Sequence, residues 1–370
     1  MLDTLIALFS LLYLIMYFII LLLHYTNKVD LTKKQIYILS GVFILSISFF
    51  SLYLIPGESF DLSVYYRIYD RYQTTHNLGT EFSNNVIFFK LILSFLCNLP
   101  NKEYIQYTLV FLTYTLVFCC FSILFNFSKY IKNTKLLFFS LLMQETLMSF
   151  AYIYSGGRNQ ISFGLSALSL IICFLFKNKK MYIFSFILSI CSFLIHDSSI
   201  IIIGLFTLSY IPYFKRNPYI LICWGLMIPI VIFLFKDTNM SIIQPLIYKL
   251  SLYVNNSIYS IDIRITVINT MITLLLLFIL KKNPITNIQL HHFLVITLSF
   301  TLGAVIIPEV QRRMLYFVSY FSPILVESIV HIKNKKTKKC IYALCFVIFI
   351  GLGLYHFVNL KANGIMLDIK

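Results

Sequence analysis

Six of the seven arginines in this 370-residue sequence, Arg67, Arg71, Arg158, Arg264, Arg312 and Arg313, stand apart from its lysine clusters. A guanidinium is always charged and offers paired N–H donors that match phosphate or carboxylate, whereas lysine suffices as bulk charge. Arginines gathered on one face therefore point to an anionic substrate. Arg158 lies in SGGRNQISFGLSALSL (155–170). There Gly156 and Gly157 are expected to break one helix and allow close backbone approach, and Arg158 and Gln160 to begin the next. Arg264 and the Arg312–Arg313 pair also stand at or near the starts of apolar segments. At a helix start the dipole already disfavours a cation by about 0.3–1 kcal/mol and favours an anionic ligand. Local pairing is the competing reading: Asp262 precedes Arg264 by two residues, and Glu309 precedes Arg312 and Arg313 by three and four. Arg158 has no acid nearby in sequence.

His196, in FLIHDSSIIII (193–203), falls on the side of Arg158, because the intervening segments run inward to KNKK and back. It reads as a general base or a phosphate donor, or as an interfacial residue beside a helix cap supplied by Asp197 or Ser198. The stretch GESFDLSVYYRIYDRY (57–72) offers Asp61, Tyr65, Tyr66 and Arg67. Aromatic rings near acids suit sugars, although tyrosine at a membrane border is common in any case. Glu145 sits inside an apolar run, where a charge costs roughly 2.5–3.5 kcal/mol, so it must be paired, neutral or hydrated. Glu327 lies close enough to a segment end to snorkel.

The elements that position these residues are membrane helices. Hydrophobic residues make up 59% of the chain and charged ones 12%, against about 25% charged in globular proteins. The pattern predicts one all-α polytopic membrane domain over 1–370, with about 12 transmembrane helices (range 10–13). Spans are expected near 5–23, 36–55, 104–126, 136–154, 159–176, 181–195, 199–212, 219–235, 264–280, 290–307, 314–332 and 341–358. Of the 30 basic residues, 18 fall in alternate short loops, from Lys28, Lys33 and Lys34 to Lys333–Lys339, which makes that side cytoplasmic. The net charge of +16 thus serves topology and anionic lipid, not nucleic acid. Two longer periplasmic loops are expected, 56–103 and 236–263; the first holds a piece (86–96) too short to span that lies in the interface or re-enters. The eight cysteines show no metal-site or disulfide spacing. The first apolar run lacks a basic leader and cleavage site, so it reads as a retained span. No glycine-rich phosphate loop or acidic metal motif is present, and neither cofactor nor metal is expected.

The order of motifs resembles a known family. Asp61 and Tyr65 give D-x-x-x-Y in the first outer loop. Gly156-Gly157-Arg158-Asn159-Gln160-Ile161 opens G-x-R-x-x-[IL]-x-x-[AG]-L, and Leu194-Ile195-His196-Asp197-Ser198-Ser199 closes the following hairpin as L-x-H-x-S. With Arg312-Arg313 at a late span start, the chain resembles the EpsG-like branch of Wzy-type polysaccharide polymerases.

That resemblance implies an enzyme of the bacterial inner membrane with its active site facing the periplasm. It would transfer a growing glycan from undecaprenyl diphosphate to a fresh lipid-linked repeat unit of an O-antigen, capsule or exopolysaccharide. Arg158, His196 and Asp61 would be catalytic. Arg312, Arg313, Arg264, Gln160, Tyr65, Arg67 and Glu309 would bind diphosphate or sugar. A flippase and a chain-length regulator would be partners. The rival readings are the flippase itself, an O-antigen ligase and a membrane acyltransferase.

Overall fold

The computed structural model describes residues 2–55, 61–78, 86–127, 134–148, 150–235, 263–285, 287–341, 343–344, 347–348, 351 and 366–367. Its helices are α1 (Leu2–Tyr25), α2 (Lys33–Ser51), α3 (Asp61–Thr75), α4 (Ile87–Cys97), α5 (Glu103–Phe127), α6 (Leu137–Leu147), α7 (Phe150–Leu175), α8 (Lys179–Ile195), α9 (Ser199–Leu208), α10 (Pro212–Arg216), α11 (Ile220–Phe235), α12 (Ile263–Lys282), α13 (Ile288–Gly303), α14 (Pro308–Ser319) and α15 (Ser322–Val330). A two-residue strand pair, Leu54–Ile55 with Met366–Leu367, is antiparallel.

This is an all-α membrane protein. Among the described residues, five helices are long and apolar enough to cross a membrane, and α14 with α15 make a sixth if taken as one bent span. Several segments expected as single spans are divided. The segment 136–154 ends as a helix at Leu147, because Met148 takes non-helical angles (φ −137°, ψ 80°), and α7 begins at Phe150. The segment 199–212 stops at Leu208, and Pro212 starts the separate short helix α10, as fits a residue with no backbone N–H to continue a helix. The helix at 87–97 has the short length expected. Most of the second expected loop, 236–262, lies outside the described residues.

Contacts cluster into two units: residues 1–202 with 319–327 and 334–370, and residues 203–318 with 328–333. In the first unit α7 is central, packed on both α5 and α8. Of its membrane-length stretch 72% is buried, against 22% for α1, whose Phe9, Ile15 and Met16 face outward. A Cβ on Gly157 would lie 2.6 Å from Leu109 Cβ, and one on Gly164 2.9 Å from Leu116, so α5 and α7 run parallel in close contact. Of the three options its position left open, Glu145 has hydrogen-bond partners: Tyr114 Oη donates to Glu145 Oε1 at 2.7 Å, and the Phe150 amide donates as well.

The two ends of this unit differ in charge. Lys33 Nζ donates to Asn126 Oδ1 (3.3 Å) at the C-terminal end of α5, Lys177 lies between α7 and α8, and Lys179 and Lys180 open α8. Arg158 lies near the other end, beside Leu109 in the chain register of α5 and α7. From Leu109 to Asn126 the helix rises about 25 Å. In the second unit α11 packs on α13, and α12 on α13.

Candidate functional site

The α7–α8 hairpin is held by hydroxyls. Ser162, Ser166 and Ser169 recur at helical spacing on α7, and Ser185, Ser189 and Ser192 on α8. Ser162 and Ser192 bond reciprocally, each Oγ donating to the other's carbonyl (3.0 and 2.7 Å). Ser169 and Ser185 repeat this at 2.7 and 2.8 Å. Ser166 joins Ser192 (2.6 Å) and Ser169 joins Ser189 (2.7 Å). In a membrane such bonds set helix register where apolar burial cannot. Seven residues along α7 match seven along α8, so one further turn from the Ser162–Ser192 pair puts Arg158 level with the end of α8, where His196 has extended backbone (φ −154°, ψ 127°). The kink at Gly156 (φ −128°, ψ 31°) sits just before Arg158. The non-helical angles interrupt the helical run at Gly156, as expected, and Arg158 stands in the first turn after the interruption.

A second pair of helices covers this end. The Arg158 guanidinium lies 5.5 Å from the Phe89 ring centroid, and the buried Tyr65 ring lies 5.3 Å from Phe89 on another approach. Phe89 of α4 thus joins Tyr65 of α3 to Arg158 of α7. A cation–π contact contributes about 0.5–2 kcal/mol, more as water is removed. The platform is fixed by polar contacts of α3. Tyr66 Oη donates to Gln106 Oε1 (2.7 Å), while Gln106 Nε2 donates to the carbonyls of Ser51 (2.6 Å) and Leu54 (3.3 Å). Tyr154 Oη also reaches the Leu54 carbonyl (2.7 Å). Tyr69 Oη donates to Leu99 O (2.7 Å), and Gln73 Nε2 to Cys97 O (2.6 Å). Burial pushes the Tyr66 and Tyr69 phenols up from their ordinary values, keeping both as neutral donors.

Asn159 Oδ1 and Gln160 Oε1 are buried and accept no hydrogen bond from the described residues. The Gln160 carboxamide lies over the kink, 3.6 Å from where a Gly156 Cβ would stand, and its carbonyl accepts from Tyr320 Oη (2.7 Å). Both residues stand in the same turn of α7 as Arg158, with side chains on other faces of the helix.

His196 is buried and caps α9. Its Nδ1 accepts the Ser198 backbone N–H (3.0 Å) and contacts Ser198 Oγ (2.7 Å), and its carbonyl accepts from Ser199 Oγ (3.0 Å). The cap was expected from Asp197 or Ser198, and the imidazole takes a share of it. An amide N–H aimed at Nδ1 leaves the neutral ring's proton on Nε2. That tautomer donates from Nε2 and has no lone pair there for a substrate proton.

The remaining candidates are distributed. Asp61 is exposed in the first turn of α3, with Arg67 exposed further along it; Arg71 Nη2 donates to the Leu78 carbonyl. In the second unit, Glu309 takes both neighbouring arginines: Arg312 Nη2 reaches Oε2, and Arg313 Nε reaches Oε1 at 2.7 Å. Local pairing is therefore present, and the triad carries one net positive charge. Arg312 also lies 5.9 Å from the Tyr316 ring centroid, and Gln311 Nε2 donates to Thr270 Oγ1 (3.1 Å). The side chain of Arg264, together with Asp262, lies outside the described residues.

Sequence reasoning missed Phe89, which gave no signal within an apolar run, and the serine ladder, whose two i, i+4, i+7 stripes were legible. What these helices define is a polytopic membrane protein, with a cationic, hydroxyl-braced candidate site near one end of its first unit. The family model of the EpsG family matches residues 37–367, and the chain belongs to that family. EpsG-like proteins are Wzy-type polymerase-like, which makes this a polysaccharide-polymerase-like membrane protein. No curated protein and no solved structure matches the chain.

Proposed function

We propose that the protein polymerises undecaprenyl-diphosphate-linked oligosaccharide repeat units into a surface polysaccharide at the periplasmic face of the inner membrane. What supports this reading is membership of the EpsG family, with Arg158 and His196 at one level of the serine-joined α7–α8 hairpin. An acceptor hydroxyl on the fresh repeat unit attacks the anomeric carbon of the growing chain. The new glycosidic C–O bond forms as the bond to phosphate breaks, and undecaprenyl diphosphate leaves with the electron pair. Arg158 binds the diphosphate oxygens as charge gathers on them, the step at which positioned donors contribute most.

His196 assists as an Nε2–H donor to the same anion, in keeping with the amide at its Nδ1. Asp61 then stands as the base that takes the acceptor proton; it is exposed at the start of the helix that carries Tyr65. Tyr65 and Phe89, both buried, back Arg158 from the α3–α4 side, and Asn159 and Gln160 pack beneath it in the same turn of α7. Arg312 and Arg313, which share Glu309, and Arg264 and Arg67 are the further arginines offered to anionic substrate. A separate flippase delivers the repeat units, and a chain-length regulator sets polymer size.

Disrupting the gene in its host and sizing the surface polysaccharide on a gel tests the reading. Loss of the long ladder with one repeat unit still attached to its anchor is expected. Complete absence of repeat units would assign the chain to flipping or ligation instead. A normal ladder lacking only an acyl group would make it a decorating acyltransferase.

A further inference from the structure

At the lysine end of the first unit, remote from Arg158, α2, α5 and α6 leave a groove of about 150 Å³. Its walls are apolar, with Ile36, Ile44, Phe118, Phe121 and Phe125, and Lys33 stands among its lining residues. A dry cavity of roughly this size holds a six-carbon ring, so the groove has room for a stretch of hydrocarbon chain. Along α2 the lining residues recur as one stripe, Lys33, Tyr37, Gly41 and Ile44. A Cβ at Gly41 would meet nothing within 4 Å, so the missing side chain leaves the stripe open. From Lys33 to Ile44 the helix rises about 16 Å, close to half of a hydrocarbon core of about 30 Å. The stripe therefore has the depth of one leaflet, with a cation at its rim.

The rim is built for an anion. Lys33 and Lys34 form the first turn of α2, where the dipole adds to their charge. Lys33 is tethered to Asn126 Oδ1 at 3.3 Å. Lys135 follows the lining residue Thr134, and it is partly offset by Asp30 at 3.6 Å. We infer that this groove holds one anionic phospholipid, with an acyl chain along the α2 stripe and its phosphate at Lys33 on the helix N-terminus. A zwitterionic lipid would bury the same chain without matching the charge. The groove and Arg158 lie at opposite ends of the unit, so the inference does not depend on the polymerase reading.

Native mass spectrometry of the full chain, purified with equal phosphatidylglycerol and phosphatidylcholine, tests it. One phosphatidylglycerol is expected to stay bound under activation that strips phosphatidylcholine. Gly41→Phe fills the stripe and is expected to remove that lipid. Lys33→Glu changes only an exposed first-turn residue and is expected to lower the preference for phosphatidylglycerol by about fivefold or more, the worth of one surface lysine. Equal retention of the two lipids by the native chain would overturn the inference. So would an unchanged preference in Lys33→Glu, or wild-type occupancy in Gly41→Phe.

Discussion

Two helix pairs, one from each unit, meet by opposite means. In the first, α7 and α8 are joined by six serines whose hydroxyls reach across to hydroxyls and carbonyls. In the second, α11 and α13 cross with no side chain between them. A Cβ on Gly225 would lie 2.5 Å from the carbonyl carbon of Gly303, and one on Gly303 would be driven into the Ile222 carbonyl. Lipid tails are as apolar as leucine, so neither pair is driven together by the hydrophobic effect, and each uses a recognised substitute. The substitutes fix different things. Bare backbone contact sets a distance between axes and nothing along them. A ladder of directional bonds sets the register, and register is what brings Arg158 level with the end of α8 at His196.

Breaking the chemistry that the ladder serves has the largest expected effect. Arg158→Ala should lower polymerisation by about 10²–10³-fold, read as loss of the ladder on gels with normal protein levels in the membrane. Arg158→Lys should recover little of it, because a point charge lacks the paired donors. Next comes the glycine crossing. Gly303→Ala should cost about 1–3 kcal/mol of stability through overpacking, measured as a lower melting point in detergent, with polymerisation per folded molecule unchanged. A large loss of specific activity there would show that distance in the second unit matters to the site as much as register in the first.

His196 sharpens the account further. As an Nε2–H donor, it should be replaced within about tenfold by glutamine, whose amide N–H₂ can donate in its place. A loss of about 10²–10⁴ in rate for His196→Gln would reinstate the imidazole as general base. The smallest effect belongs to the ladder itself. Ser192→Ala should cost about 0.6 kcal/mol per bond in melting experiments, yet lower polymerisation more than Gly303→Ala does. Equal activity in the two variants would mean that the serines only glue.

How much of this was legible in sequence follows from the range of each interaction. The pairing of Glu309 with Arg312 and Arg313 was readable, because i, i+3 and i, i+4 neighbours share a helix face. So was the need of Glu145 for a partner, though not that Tyr114, 31 residues away, would supply it. Close approach at Gly157 was expected and is met against Leu109. Phe89 was not legible, since its role beside Arg158 is decided by how α4 packs on α8, α5 and α3. Nor were the breaks inside 136–154 and 199–212, where hydropathy continues through a change of backbone angle at Met148 and a proline at Pro212. Hydropathy reports what a segment dissolves in, and it says little about where its axis turns.

Gln106 illustrates what such packing asks of a gene. Its one carboxamide accepts from Tyr66 and donates to the carbonyls of Ser51 and Leu54, with its side chain wholly buried. Glutamate could accept there but not donate, leucine could do neither, and asparagine is a methylene too short to do both. In a library holding every amino acid at every position, codon 106 should return glutamine almost alone, while the exposed Arg67 on neighbouring α3 tolerates a broad set for folding. Three hydrogen bonds thus become an alphabet of one letter.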